Sequence, residues 1–384
     1  MKKSLLALAI GTFALGIAEF GMMGILSDVA SGVHIDIVKA GHLISAYSTG
    51  VAVGAPGLIF LRRMPLRKLL LLLAAVIAVG NALTALAPGY ALLLCGRFIS
   101  GLPHGAFFGA GAIVCARLAD KGHGATAVAV MVGGMTVANL VGVPGATAIS
   151  NALSWRCAFG IVALTGALAW VGIRHWVPVL APLPDTGLKG QFRFLSRPEP
   201  WLIYAGVFFG QASVYCWLSY VEPIMTRVAG FPAMDMTWIM MLIGMGMVTG
   251  NALSGKLADR FGAARVCGLL ALSVAAIMTA TYFCAAMPVP ALVLAFVAAA
   301  GLFGIGGPLQ YVIVRYARGG EMLGGAGIQI AFNVSNAMAA ALGGMAIARG
   351  WGEQSPALVG APLALIGAAA LFILNRRERR GLRS

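Results

Sequence analysis

The chain has 384 residues, 60% of them hydrophobic and only 10% charged, with 52 glycines and 18 methionines, where a soluble domain would carry roughly a quarter charged residues. Runs of about 20 apolar residues, each long enough to cross a hydrocarbon layer roughly 30 Å thick, recur from end to end, and the alternating ten-residue strands of a membrane barrel are absent. The formal charge of +15 is spread along the chain rather than gathered in one patch, which excludes a nucleic-acid surface and leaves an all-α, polytopic membrane protein.

Twelve spans are predicted. The first, near 5–27, contains Glu19 and Phe20 within "GTFALGIAEFGMMGIL" (residues 11–26). An ionised carboxylate in hydrocarbon is costly, so Glu19 needs a partner, a wet cavity or a function. The opening "MKKSLLALAIGTFALGIA" also has the layout of a cleavable signal peptide, but its apolar stretch continues to Leu26, about twice the usual length of such a core. It is therefore read as a span. The second and third spans, near 41–61 and 67–87, flank the basic turn "GLIFLRRMPLRK" (57–68).

The fourth span, near 90–116, follows the breaker "APGY" and carries Arg97 in "RFISGLPHGAFFGAGA" (97–112). A guanidinium keeps its charge, so inside a membrane it must be paired or hydrated. His104 lies two helical turns along the same face, and Arg97 and Glu19 sit within a turn of the same depth. Two readings stay open: Arg97 pairs with Glu19, directly or through water, or it caps backbone carbonyls of a broken neighbouring helix. The fifth span, near 125–149, contains "GGMTVANLVGVPGAT" (133–147), in which Gly134, Ala138 and Gly142 are spaced by four and Pro144 follows. Small residues at this spacing let helices approach closely. The sixth span lies near 158–176.

The polar, proline-rich stretch "PVLAPLPDTGLKGQFRFLSRPEP" divides the chain into a six-helix bundle over 1–177, a linker over 178–200 and a second six-helix bundle over 201–384. The spans of the second half run near 201–221, 236–254, 265–286, 291–314, 325–348 and 357–374. Glu222 is expected in a loop at the outer end of the seventh. Between the eighth and ninth lies "GKLADRFGAAR" (255–265), where Gly255 and Gly262 suit a tight turn, Asp259 can meet a helix N-terminus or an arginine, and Arg260 faces the inner leaflet. The halves repeat weakly at an offset of 200: "IVCARLA" at 113 matches "IVRYARG" at 313.

With the N-terminus inside, the inner segments hold 22 of the 27 basic residues and the outer loops only Lys39, Arg156, Arg227 and Arg349. That asymmetry predicts both termini in the cytoplasm and basic contacts to lipid headgroups. Other polar residues within spans could line a cavity: His42, Tyr47, Asn81, Asn139, Gln211, Tyr215, Gln310, Gln329, Asn333 and Asn336. The last three of the eleventh span share one face, and as a group these uncharged side chains suit a neutral polyol or polar drug. Cys95, Cys115, Cys157, Cys216, Cys267 and Cys284 show no metal-ligand spacing and read as packing residues. No enzyme motif is present, and no metal or cofactor is expected.

These motifs carry a resemblance. "GKLADRFG" is similar to motif A of the major facilitator superfamily, departing from it at Ala263 and Ala264. Arg97, Gly101 and Gly105 resemble its motif B. "GMTVANLVGVP" resembles its antiporter motif, with Ala138 and Val143 as departures. Together with "AGHLISAY", "VAVGAP" and "GGAGIQIAFN", they make the chain similar to the drug:proton antiporter branch, and within it to AraJ-type arabinose efflux permeases. The resemblance implies a twelve-helix major facilitator fold, a substrate site near the midplane between the halves, and a monomer in the inner membrane that exports sugars or drug-like compounds against protons. It implies a proton-coupling role for Glu19, with Arg97 and His104 modulating it, and an inner gate at Asp259 and Arg260. An uptake symporter, and a non-transporting sensor on the same fold, are the alternatives.

Overall fold

The structure, a computed structural model, describes residues 2–61, 64–118, 124–180, 192–317 and 321–381. The regular structure of these residues is helical throughout: α1 (Lys2–Phe20), α2 (Leu26–Gly32), α3 (Ile37–Leu61), α4 (Leu66–Leu86), α5 (Tyr90–Gly101), α6 (His104–Leu118), α7 (Gly124–Val137), α8 (Val143–Ala152) and α9 (Trp155–Trp176) in the first half. The second half contributes α10 (Pro198–Leu218), α11 (Met236–Phe261), α12 (Ala263–Cys284), α13 (Pro288–Tyr316), α14 (Glu321–Ala348) and α15 (Ser355–Gly381). Eleven stretches among the described residues are long and apolar enough to cross a membrane. The remaining predicted span, 41–61, coincides with α3, in which the side chains at 55 and 58–60 lie outside the described residues.

The chain forms two compact units: Met1–Asp185 with Met236–Met241, and Thr186–Asp235 with Leu242–Ser384. In the first, α1 packs against α7 and α9, α4 against α5 and α9, and α3 against α5. In the second, α10 and α12 both pack against α15, and α10 also meets α13 and α14.

Lipid offers no hydrophobic drive to bring helices together, so close backbone approach carries much of the packing. The two units solve this in the same way. A methyl group on Gly50 or Gly54 of α3 would collide with the carbonyls of Phe98 and Leu102. One on Gly246 or Gly250 of α11 would collide with those of Phe296 and Ala300. The two units thus share a helix crossing specified by glycines four residues apart.

Several predicted spans prove to be broken. The first gives way after Phe20 to a 3₁₀ turn over Gly21–Gly24, then continues as α2; its flanking glycines lower the helix propensity by about 1 kcal/mol each relative to alanine. The fourth, expected as one helix, divides at Leu102 and Pro103. Pro103 has no N–H to donate to Ile99, and the Leu102 N–H forks between the carbonyls of Phe98 (3.3 Å) and Ile99 (3.2 Å). The fifth contains a π turn over Ala138–Gly142, where Pro144 removes the hydrogen bond that would otherwise close on Leu140.

In the seventh, Glu222 lies in the turn Val221–Pro223 and is buried rather than exposed in a loop, its Oε1 accepting from Thr226 Oγ1 at 3.3 Å. Between the fourth and fifth spans, the stretch "DKGHG" (120–124) lies outside the described residues except for Gly124, as do 181–191 of the linker.

Polar caps close the exposed corners. Ser154 accepts from the Arg156 N–H at the start of α9. Arg156 in turn donates to the carbonyls of Ala85 (3.1 Å) and Ala87 (2.7 Å) at the end of α4, with its guanidinium 4.2 Å from the Trp155 ring centroid. An arginine expected only as an outer-loop charge therefore satisfies a helix C-terminus.

Candidate functional site

Four helices of the first unit bring their polar residues together where α1 breaks. Glu19 occupies the last turn of α1, is 1% exposed, and has no hydrogen-bond partner at either carboxyl oxygen among the described residues. Its neighbour is His104, whose Nε2 lies 3.8 Å from Oε2. The break at Pro103 makes His104 the first residue of α6. It is therefore aimed by a helix start, not by two turns of continuous helix from Arg97 as the sequence suggested.

The opposite ring nitrogen, Nδ1, is 2.9 Å from the hydroxyl of Tyr47, which also lies 3.3 Å from the carbonyl of Leu15. Phe108, one turn further along α6, stacks on the imidazole with ring centroids 5.2 Å apart. Tyr47 reaches this place because Gly101 lets α5 sit directly on the α3 backbone; a side chain there would strike the Tyr47 carbonyl.

Arg97 is fully buried, and the hydrogen bonds it makes to backbone are those of the capping reading rather than of a direct pair. Nη1 donates to the carbonyl of Ala18 at 2.7 Å and Nε to that of Leu43 at 3.3 Å, and no ion pair joins it to Glu19 among the described residues. Ala18 lies in the last turn of α1, so the guanidinium caps a carbonyl of the broken helix. Its carbon sits 4.5 Å from the Tyr47 ring centroid and 5.5 Å from that of Phe159, positions in which a cation is attracted to the ring face.

Phe20 is buried beside Glu19, and Asn139 is buried on the π turn with an unpartnered Oδ1. His42 is not part of the cluster: it is exposed, with Nδ1 2.8 Å from the Tyr90 hydroxyl. Gly134 faces the Ala9 carbonyl and the Thr12 hydroxyl, and Gly142 faces Ile17 and Phe13. The small residues of the fifth span thus seat α7 and its π turn on α1, and Pro144 shapes that turn.

In the second unit, Gln211 donates from Nε2 to the Leu302 carbonyl at 3.0 Å, and Asn333 from Nδ2 back to the Gln329 carbonyl at 3.0 Å. Asn336 is 1% exposed with neither end of its amide hydrogen-bonded, and the oxygens of Gln211, Gln310 and Asn333 also lack a partner among the described residues. The Tyr215 ring meets Phe332 edge-on at 5.3 Å. Within the motif-A stretch, Gly262 has φ +87°, the left-handed region that favours glycine, and makes the turn from α11 to α12. Gly255 lies inside α11 with open space around it, and Arg260 rests 5.2 Å over Phe261. The side chain of Asp259 lies outside the described residues.

The bonds of Tyr47 and the stacking of Phe108 were not anticipated. The second was legible, since residues four apart share a helix face. The first joins residues 57 positions apart, and nothing in the local pattern links them.

Comparison with known proteins supplies the family. The sequence matches the family model of the Major Facilitator Superfamily over residues 8–329. It is 44% identical to AraJ of Escherichia coli (strain K12) over 380 residues, covering 99% of this chain and 96% of that protein. It is 36% identical to the inner membrane transport protein YdhP of the same strain over 375 residues, 97% and 96% of the two chains. Its fold is similar to the inward-facing, occupied crystal structure of a bacterial homolog to the human lysosomal transporter Spinster, with a TM-score of 0.73 at 17% identity over 97% and 96% of the two chains. The chain belongs to the Major Facilitator Superfamily and is a multi-pass membrane transporter, not an enzyme.

Proposed function

We propose that this transporter exports sugars such as arabinose, or other small polar and drug-like compounds, in exchange for protons, with Glu19 as the proton-carrying group. The observation that carries the reading is the carboxyl group of Glu19, enclosed in the first unit with no hydrogen bond to either oxygen among the described residues and an imidazole at 3.8 Å. A lone acid is retained in such surroundings at a considerable free-energy cost, and in membranes its common use is to take up and release a proton. Substrate recognition falls to the uncharged amides of the second unit. The free oxygens of Gln211, Gln310 and Asn333 and both ends of Asn336 offer acceptors and donors to hydroxyl groups and no net charge, which favours neutral ligands over ionic ones. The proposed orientation has both termini in the cytoplasm of a bacterial cell, from the 22-to-4 basic asymmetry between its two sides.

The test is a flux assay. Purified protein in liposomes loaded with a pH-sensitive dye is given a pH gradient, then arabinose, related sugars and neutral or cationic drugs in turn. Substrate-evoked proton movement in the wild type and its loss in Glu19→Gln are expected. Equal, pH-insensitive transport by both proteins would remove Glu19 from coupling.

A further inference from the structure

The role proposed for Glu19 leaves a difficulty at the atomic level. A carboxyl group that gains and loses a proton changes from hydrogen-bond donor to acceptor, and a dry site with fixed partners suits only one of the two forms. The groups around Glu19 remove this difficulty through the arrangement of His104 and Tyr47. The Tyr47 hydroxyl has one hydrogen and two acceptors in reach, the Leu15 carbonyl at 3.3 Å and His104 Nδ1 at 2.9 Å. The far side of the same ring, Nε2, faces Glu19 Oε2 at 3.8 Å, a short shift from a hydrogen bond. Phe108 stacked on the imidazole, and burial of both His104 and Tyr47 to 1% exposure, hold the ring in this plane.

We infer that Tyr47 and His104 are positioning residues that keep Glu19 bonded in both of its protonation states by exchanging the two neutral tautomers of the imidazole. This inference rests on the reading of Glu19 as the proton carrier. In the first form, Tyr47 donates to Leu15, His104 donates from Nδ1 to the Tyr47 oxygen, and the bare Nε2 accepts the O–H of protonated Glu19. In the second, the Tyr47 hydroxyl donates to Nδ1, the ring proton sits on Nε2, and that N–H points at the Glu19 carboxylate. Passing from the first to the second breaks the O–H bond of Glu19 and forms the N–H bond at Nε2, while the Nδ1 proton passes to the Tyr47 oxygen and the hydroxyl's own hydrogen is given up to bulk water on the side to which the transport cycle opens the site. The imidazole is neutral at both ends of the exchange, so no second charge has to be sustained away from water, where an added charge is costly.

Among the described residues the other charged group facing the carboxylate is Arg97 on α5, and it is engaged with the Ala18 and Leu43 carbonyls. Of the remaining elements around α1, α7, the π turn and α8 carry no ionisable residue, α3 carries Lys39 and His42 besides Tyr47, α4 carries Arg67 and Lys68 in its first turn, α6 carries Cys115 and Arg117 at its far end, and α9 carries Arg156, Cys157, Arg174 and His175 only in its first and last turns. The Tyr47–His104 pair is therefore the means by which this site accommodates a titrating acid.

Histidine ¹⁵N NMR separates a protonated from a bare ring nitrogen, and so reports the tautomer directly. The experiment uses full-length protein in lipid nanodiscs, labelled at histidine, with the His104 signals assigned from their loss in His104→Gln. From mildly acidic to alkaline pH the wild type is expected to pass from the Nδ1–H to the Nε2–H tautomer without an imidazolium signal. In Glu19→Gln the change disappears, because the amide does not titrate. Tyr47→Phe removes the Nδ1 partner of both tautomers, so the pH at which the tautomer changes is expected to move from its wild-type value, and an unmoved change would remove Tyr47 from the arrangement. A single tautomer at every pH in the wild type, or an imidazolium ring on the acid side, overturns the inference. Proton flux that survives alongside a fixed tautomer would reject this arrangement and leave the proton-coupled function standing. A tautomer change without any substrate-evoked flux would do the reverse.

Discussion

Replacing Arg97 by methionine tests whether this arginine is primarily a clip on the broken end of α1. Methionine keeps most of the side chain's volume and removes the guanidinium, which takes the donor from the Ala18 carbonyl at the end of α1 and a second bond from the Leu43 carbonyl within α3. The orphaned Ala18 carbonyl costs about 1–3 kcal/mol and the lost second bond at Leu43 about 0.5–1.5 kcal/mol, and loss of the contacts over the Tyr47 and Phe159 rings adds about 0.5–1 kcal/mol each. Against this, a charge no longer has to be held out of water, which returns part of the sum. A net loss of about 2–4 kcal/mol is expected for Arg97→Met, and about half of that for Arg97→Lys, whose ammonium can reach one carbonyl but cannot span both. Thermal unfolding of the purified protein in detergent, followed by tryptophan fluorescence, reads the difference as a Tm lowered by several degrees. A double-mutant cycle sharpens the assay. Because Glu19 makes no direct pair with Arg97, the stability effects of Glu19→Gln and Arg97→Met should add to within about 0.5 kcal/mol. An Arg97→Met protein as stable as the wild type would refute the clip, and a coupling energy well above about 1 kcal/mol would refute the absence of a direct pair.

Other consequences of the structure can be checked separately. Gly134→Val drives a branched side chain into the Ala9 carbonyl and the Thr12 hydroxyl and should cost at least about 3 kcal/mol, whereas Gly145→Ala, with open space around it, should be neutral or slightly stabilising; paired melting curves distinguish them. Gly262→Ala forces a side chain onto φ +87° and should destabilise by about 1 kcal/mol, while Gly255→Ala inside α11 should leave Tm unchanged or raise it. Asp36 sits outside the predicted spans, at the start of α3, and its pKa is held below the usual carboxylate range chiefly by the Lys39 backbone N–H that its Oδ1 accepts at 2.8 Å. A depressed folded-state pKa adds stability above the unfolded value of about 3.9 and loses it as pH falls through the folded one. Asp36→Ala should therefore cost about 1 kcal/mol at neutral pH and lose that difference in strong acid, as read by unfolding at both pH values.

The helical membrane class and the seating of the fifth span on α1 through Gly134 and Gly142 follow from local pattern, because both the length of an apolar run and the four-residue spacing of small residues are carried by neighbours in sequence. Glu19 and Arg97 were legible as candidates for the same reason: each is an isolated charge in an apolar run. What they touch was not. Sequence depth placed them level and suggested a pair, yet depth says nothing about rotation around the helix axis, and the structure turns Arg97 to the Ala18 and Leu43 carbonyls while Glu19 turns to His104. Pro103 was visible throughout, but a proline in a membrane helix is often only a kink, since neighbouring groups can re-satisfy the freed carbonyl. Here the chain stops and restarts, and His104 opens a new helix.

Those interruptions have a common logic. Within a hydrocarbon layer, backbone that leaves the α-helix must be covered by protein or by a wet cavity, or its unpaired groups are prohibitively costly. In the first unit, α1 ends at Phe20, α5 gives way to α6 at Pro103, and a π turn occupies Ala138–Gly142. Each interruption lies at a residue that matters to the buried acid or to its packing. Glu19 precedes the first, His104 follows the second, and the third seats against α1 through Gly142 on Ile17 and Ala138 on Gly16. Regular helices would need no buried arginine to cap Ala18. The fully buried cation and the lone carboxylate are thus two parts of one construction: breaking α1 exposes the Ala18 carbonyl that Arg97 satisfies, and it ends the helix one residue past Glu19. A variant that restored a continuous helix through Gly21 and Gly24, such as Gly21→Ala with Gly24→Ala, has to displace Thr147 and Met240 from the space Gly24 leaves open. It should therefore lose stability despite the higher helix propensity of alanine. A gain in Tm for that double variant would show that the break is tolerated rather than built in.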